Sequence, residues 1–128
     1  MANVFISHRG SDSAEAERLG AAIRAAGHEV WLDTWEIGLG DSIIGKMNAG
    51  LADATHVIVC FSEAGASPWM DQEWMATLAA QLNGHGIRLL PAVLSGGEPP
   101  PLLRDMKYAD LGASWDDSVA EIQRALVR

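Results

Sequence analysis

Five consecutive apolar residues, Val57-Ile58-Val59-Cys60-Phe61, constrain this chain more than any other feature. A strand with one face in water alternates apolar and polar side chains. A short unbroken run rich in β-branched residues instead reads as a strand covered on both faces, as in the middle of a parallel sheet flanked by helices. Parallel neighbours require crossover connections, so the flanking sequence must carry helices and further strands in alternation.

It does. Val4-Phe5-Ile6 predicts a first strand, and polar Ser7-His8-Arg9-Gly10 follows it. Asp12-Ser13-Ala14-Glu15 then has capping-box spacing for a helix start. Leu19, Ala22, Ile23 and Ala26 recur at helical spacing, and Gly27 stands where a left-handed residue ends a helix. His28 to Asp33 predicts the second strand. After a loop from Thr34 to Gly40, Asp41 or Ser42 is placed to cap a helix with Ile43, Ile44, Met47 and Leu51 on one side. The third strand covers Thr55 to Phe61. Ser67-Pro68 predicts another helix start, because serine caps free amides and proline fits the first turn; that helix extends to about Leu82. Gly86 to Leu94 is read as a fourth strand, Pro99-Pro100-Pro101 as a break, Lys107 to Leu111 as a short fifth strand and Ser114 to Val127 as a last helix. The expected architecture is α/β: an open five-stranded parallel sheet with helices on both faces. Ligands of such sheets bind at the carboxyl ends of the strands, which points to the loops after Ile6, Asp33 and Phe61.

A chain of 128 residues has material for one core, so residues 1–128 are expected to form a single domain, either a whole small protein or a module of a longer one. A net charge of −8 offers no basic stripe, so neither nucleic acid nor an anionic membrane surface is an expected partner. The single cysteine, Cys60, lies inside the apolar run and reads as a small buried hydrophobe. His28, His56 and His85 lack ligand spacing, so no metal is expected. Neither a leader nor a spanning segment is read at the start, and the expected location is cytoplasmic. No Gly-x-Gly-x-x-Gly turn follows the first strand and no phosphate loop is present, which removes the usual dinucleotide-oxidoreductase and triphosphatase readings. A phospho-receiver site would need acidic residues where Ser7-His8 stand. Ser7, His8 and Asp33 are discounted as a hydrolase triad because no nucleophile-elbow glycines surround the serine.

Several short motifs, taken together, are more specific. Val4-Phe5-Ile6-Ser7-His8-Arg9 opens the chain, Trp31-Leu32-Asp33 closes the second strand, Gly50-Leu51 precedes the third, Ser62 follows Phe61, and Ser67-x-Trp69-x-x-x-Glu73 begins the next helix. In this order and spacing, over roughly residues 3 to 111, the chain resembles Toll/interleukin-1 receptor (TIR) domains of the NAD-cleaving kind. The resemblance implies a flavodoxin-like TIR fold, Glu73 as the catalytic carboxylate, Trp69 as its neighbour and Arg9 as a nucleotide contact. Ser7, His8, Asp33, Trp35 and Ser62 complete the expected substrate-binding set. The 34–40 loop corresponds to the family's mobile loop, which covers the nucleotide or packs against another TIR domain. Here it carries Trp35 and Glu36 and lacks the arginine-aspartate and proline-glycine pairs of receptor-type loops, which favours bacterial-type or enzymatic use.

Trp69 and Glu73 are four apart, a spacing that puts both on one helix face. The implied chemistry suits a lone carboxylate. The nicotinamide of NAD is cationic and departs neutral, so no acid need protonate it, and one anion can stabilise the positive charge growing on the ribose. The expected activity is NAD glycohydrolase or cyclase, giving nicotinamide with ADP-ribose or a cyclic isomer, in a defence or cell-death effector. NAD is substrate, and no cofactor is expected. Other TIR domains are the expected protein partners, by homo-oligomerisation or filament assembly. The rival expectation is a non-catalytic TIR–TIR interaction module.

Overall fold

The apolar run occupies the middle of the sheet. In the computed structural model, which describes residues 2–8, 12–32, 36, 38–62, 87–96 and 107–127, the strands are β1 (Asn3–Ser7), β2 (Glu29–Leu32), β3 (His56–Ser62), β4 (Arg88–Ser95) and β5 (Ala109–Asp110). All pairings are parallel and the order is β2-β1-β3-β4-β5, so β3 is central and every one of its residues is buried. Its want of alternation follows from that position, with apolar cover above and below. The expected helix from Ser67 to Leu82 and the Pro99–Pro101 break lie outside the described residues.

The pleat divides the core between two faces. On one, Val4, Ile6, Leu32, Ile58, Cys60, Ala92 and Leu94 pack under α1 (Ser13–Ala25) and α3 (Trp115–Leu126). Those helices contribute Ala16, Leu19 and Ile23, and Val119, Ile122 and Leu126, at three- and four-residue spacing. Each large side chain of this set, buried, contributes roughly 1.5–3 kcal/mol. Arg18 places its guanidinium 3.9 Å above the Trp115 ring, tying α1 to α3 at the surface.

On the other face Phe5 and Trp31 stack at 4.5 Å with an interplanar angle of 5°, and α2 (Ile43–Ala52) comes in over Trp31. The approach depends on Gly50, where a Cβ would stand 2.7–2.8 Å from indole atoms. Because stacking on Phe5 holds the ring, Gly50→Ala is expected to cost about 1–3 kcal/mol of overpacking, reduced by alanine's better helix propensity of about 1 kcal/mol. Urea denaturation measures the balance. A variant as stable as the parent would mean that the indole yields.

Local chemistry sets the ends. Gly27 takes φ +99° beyond the last turn of α1, and Ser42 caps α2 by accepting the Gly45 N–H at 3.1 Å, both as the sequence predicts. Asp41 instead accepts the Gly38 N–H. The expected capping box of α1 does not form: Asp12 occupies the cap position but makes no side-chain hydrogen bond to its own helix. The fifth strand is two residues long rather than Lys107–Leu111 because Asp110 turns the chain. Its carbonyl accepts from the Ser114 amide and the Ser118 hydroxyl, and its carboxylate from the Ala113 amide. Pro91 lies inside β4 without breaking it. Arg88 donates toward β3 and Val93 accepts from Leu111 on the β5 side, so alternation turns Pro91 toward β5, whose pairing begins only at Ala92.

Candidate functional site at the carboxyl ends of β1 and β3

Ser7 ends β1, His8 follows it and Ser62 ends β3; with Asp12 these residues are buried at 5%, 4%, 3% and 8% exposure, at one end of the sheet. A buried polar group stabilises nothing unless it is paired, so such a concentration needs an account. Ser7 is in register with Val59, so β3 runs three residues further, about 10 Å. The chain leaving β1 returns at Asp12 to meet this extension. The Ser62 hydroxyl donates to the Asp12 carboxylate at 2.8 Å and 3.0 Å from its two oxygens. The Ser62 hydroxyl proton is thereby committed to Asp12.

Of the residues expected from the sequence, the structure therefore brings Ser7, His8 and Ser62 to the same strand ends. Arg9, Asp33, Trp35, Trp69 and Glu73 lie outside the described residues. Asp12 was expected only as a helix cap. Its one sequence signal was an acid at a helix start within the ligand-bearing end, which capping explains equally well. In the 34–40 loop, the Asp41 amide donates back to the Gly38 carbonyl and closes a turn that leaves Leu39 wholly exposed at 108%.

Cys60, two residues inside β3, is fully buried, and burial reinforced by the Asp12 charge pushes its thiol up to about 12. It stays protonated and is no nucleophile. Among the described residues no three His, Cys, Asp or Glu side chains cluster as a metal site requires, and no helix is long and apolar enough to cross a membrane. Two clefts open elsewhere. One of about 650 Å³ lies by Arg88, Pro91, Tyr108 and Ile122, and one of about 470 Å³ by Asn3, Glu29, Trp31 and Gly50. Both are lined by the opening residues of strands, whereas parallel sheets bind ligands at the carboxyl ends. Neither cleft reaches Asp12 or Ser62.

The opposite end of the sheet holds a pH-sensitive group. Thr55 Oγ1 donates to the Asn3 carbonyl, which leaves it to accept from His56 Nδ1 at 2.8 Å, and the buried Nε2 has no hydrogen-bond partner among the described residues. Burial chiefly, then the Arg88 charge and His28, lower the His56 pKa from 6.5, with the nearby Ala125 carbonyl opposing. A histidine whose pKa is depressed on folding contributes stability that is complete above its unfolded pKa and is lost as the pH falls below it. Tm is therefore expected to be level above pH 7 and to fall as the pH drops through 6.5, a slope that His56→Asn should flatten. A profile of equal steepness in the variant would assign the slope to another group.

The fold is an open α/β sheet with buried polar groups gathered at the carboxyl ends of β1 and β3. The chain matches the family described as TIR domain over residues 4–126, and it belongs to that family. It is 37% identical over 87 residues, 66% of its length, to a 2′ cyclic ADP-D-ribose synthase of Bacteroides thetaiotaomicron. It is 36% identical over 91 residues, 70% of its length, to an NAD(+) hydrolase of Paracoccus denitrificans. The aligned part is 30% of each of those proteins, so the chain spans about a third of the length of the curated relatives it matches. In structure it resembles the TIR domain of the Toll-related receptor TRR-2 of Hydra magnipapillata, with a TM-score of 0.76 over the whole of both chains at 17% identity, a likeness of fold.

Proposed function

We propose that this TIR domain cleaves the bond between nicotinamide and ribose in NAD, releasing nicotinamide and ADP-ribose or a cyclic isomer. The motif Ser67-x-Trp69-x-x-x-Glu73 carries the proposal, standing in a family whose bacterial relatives bear the names of NAD hydrolase and cyclic ADP-ribose synthase. Glu73 is the carboxylate that stabilises the ribose as the C–N bond breaks and its electron pair leaves with neutral nicotinamide. Trp69 supplies a flat apolar wall beside the developing cation, and Arg9 pairs with a phosphate or ribose oxygen. Ser7, His8, Asp33, Trp35 and Ser62 line the remainder of the substrate site. Water then attacks the sugar and releases a proton, giving ADP-ribose; capture by a hydroxyl of the same molecule gives the cyclic product. NAD is substrate throughout, and the setting is cytoplasmic defence or cell death.

Partners are further TIR domains, in homo-oligomers or filaments. The fully exposed Leu39, in the loop that also carries Trp35, supports this, since a large apolar side chain projecting into water gains by burial against a neighbour. Neither nucleic acid nor membrane is a partner of so acidic a chain. The experiment is nicotinamide release from NAD by the purified chain over a wide range of protein concentration. Release that rises faster than linearly with concentration is expected. Proportionality throughout would remove assembly-dependent activation, and no release even at high concentration would leave a non-catalytic interaction module.

A further inference from the structure

We infer that Asp12 is a positioning residue acting through Ser62: its carboxylate holds the last residue of β3 and sets how the chain departs toward the stretch bearing Trp69 and Glu73. The consequence for catalysis rests on the NAD cleavage proposed above; the positioning does not.

Asp12 stands at the cap position just before α1, where aspartate ordinarily caps free amides, and it forgoes that role. Both of its oxygens face one hydroxyl, at 2.8 Å and 3.0 Å, with Asp12 and Ser62 buried at 8% and 3% exposure. A hydrogen bond to an ionised acceptor out of water is among the stronger contacts a fold can make, and losing the donor would leave a charge poorly solvated.

Its place gives the bond its function. The β3–β4 register slips between Phe61 and Ser62, so that Ser62 pairs with Ser95 and Leu94 is passed over. The extra residue is on β4, and the bulge disrupts the ladder that holds Ser62 on that side. At that residue the side-chain bond to Asp12 takes over. The restraint comes from the residue just before α1, three positions after Arg9, so one bond ties together the chain segments that lead from the expected nucleotide contact and to the expected catalytic carboxylate.

The test is hydrogen–deuterium exchange of the whole chain in Asp12→Asn and Ser62→Ala, with NAD turnover measured beside it. Exchange in peptides spanning 63–75 is expected to rise roughly tenfold in both variants, with α3 peptides spanning 115–126 unchanged. Unaltered exchange at 63–75, or an equal rise everywhere, would overturn the inference, the second outcome assigning the bond to global stability. In turnover, each variant is expected to lose roughly tenfold in kcat, Asp12→Asn with KM within about twofold, and the double variant is expected to be no slower than the slower single one. Losses that multiply would also overturn it. A parent that releases no nicotinamide removes the NAD proposal and leaves the exchange result to decide the role of Asp12.

Discussion

Glu73→Gln is expected to lower nicotinamide release from NAD by on the order of 10²- to 10³-fold, about 2.7–4 kcal/mol of transition-state stabilisation. Glutamine keeps the shape and hydrogen-bonding reach of the side chain and removes only the charge. Because that charge acts chiefly as the ribose becomes cationic, the loss belongs in kcat, with KM little altered. A thermal melt run alongside separates this from unfolding. Turnover at the parental rate would show that Glu73 is not the catalytic carboxylate, and the motif could no longer support the proposed chemistry.

Phe5→Ala is expected to cost about 3–5 kcal/mol, the range for truncating a buried aromatic, or roughly 10–20 °C in Tm for a domain of this size. The residue is wholly buried on β1, beside the central strand, and it also supports the Trp31 ring on which Gly50 and α2 rest. The lost ring therefore removes its own burial and the backing of a second contact. Differential scanning calorimetry reads the shift. A change of only a few degrees would mean that Trp31 collapses into the space, and would predict that Gly50→Ala is tolerated in the Phe5→Ala background.

The candidate site was only partly legible. Ser7, His8 and Ser62 could be placed together because parallel topology brings the ends of β1 and β3 to one edge, whatever their side chains do. Asp12 could not. Its spacing to Glu15 fits a capping box, and a sequence in one dimension cannot show that a hydroxyl fifty residues away competes for the same carboxylate. Nor does spacing reveal His56, which reads simply as part of an apolar strand until Thr55, Arg88 and His28 are seen to surround it.

What the sequence determined by itself were the features governed by neighbours along the chain. The unbroken run of β3 declared a doubly covered strand, Gly27 supplied the left-handed residue that ends α1, and Ser42 capped α2, because these effects act over one to four residues. Tertiary structure decided where local preference met a distant competitor. It took Asp12 from its own helix for Ser62, fifty residues further along the chain. A carboxylate goes to whichever donor is present once water is gone, and which donor that is depends on the packing of strands and helices remote in sequence.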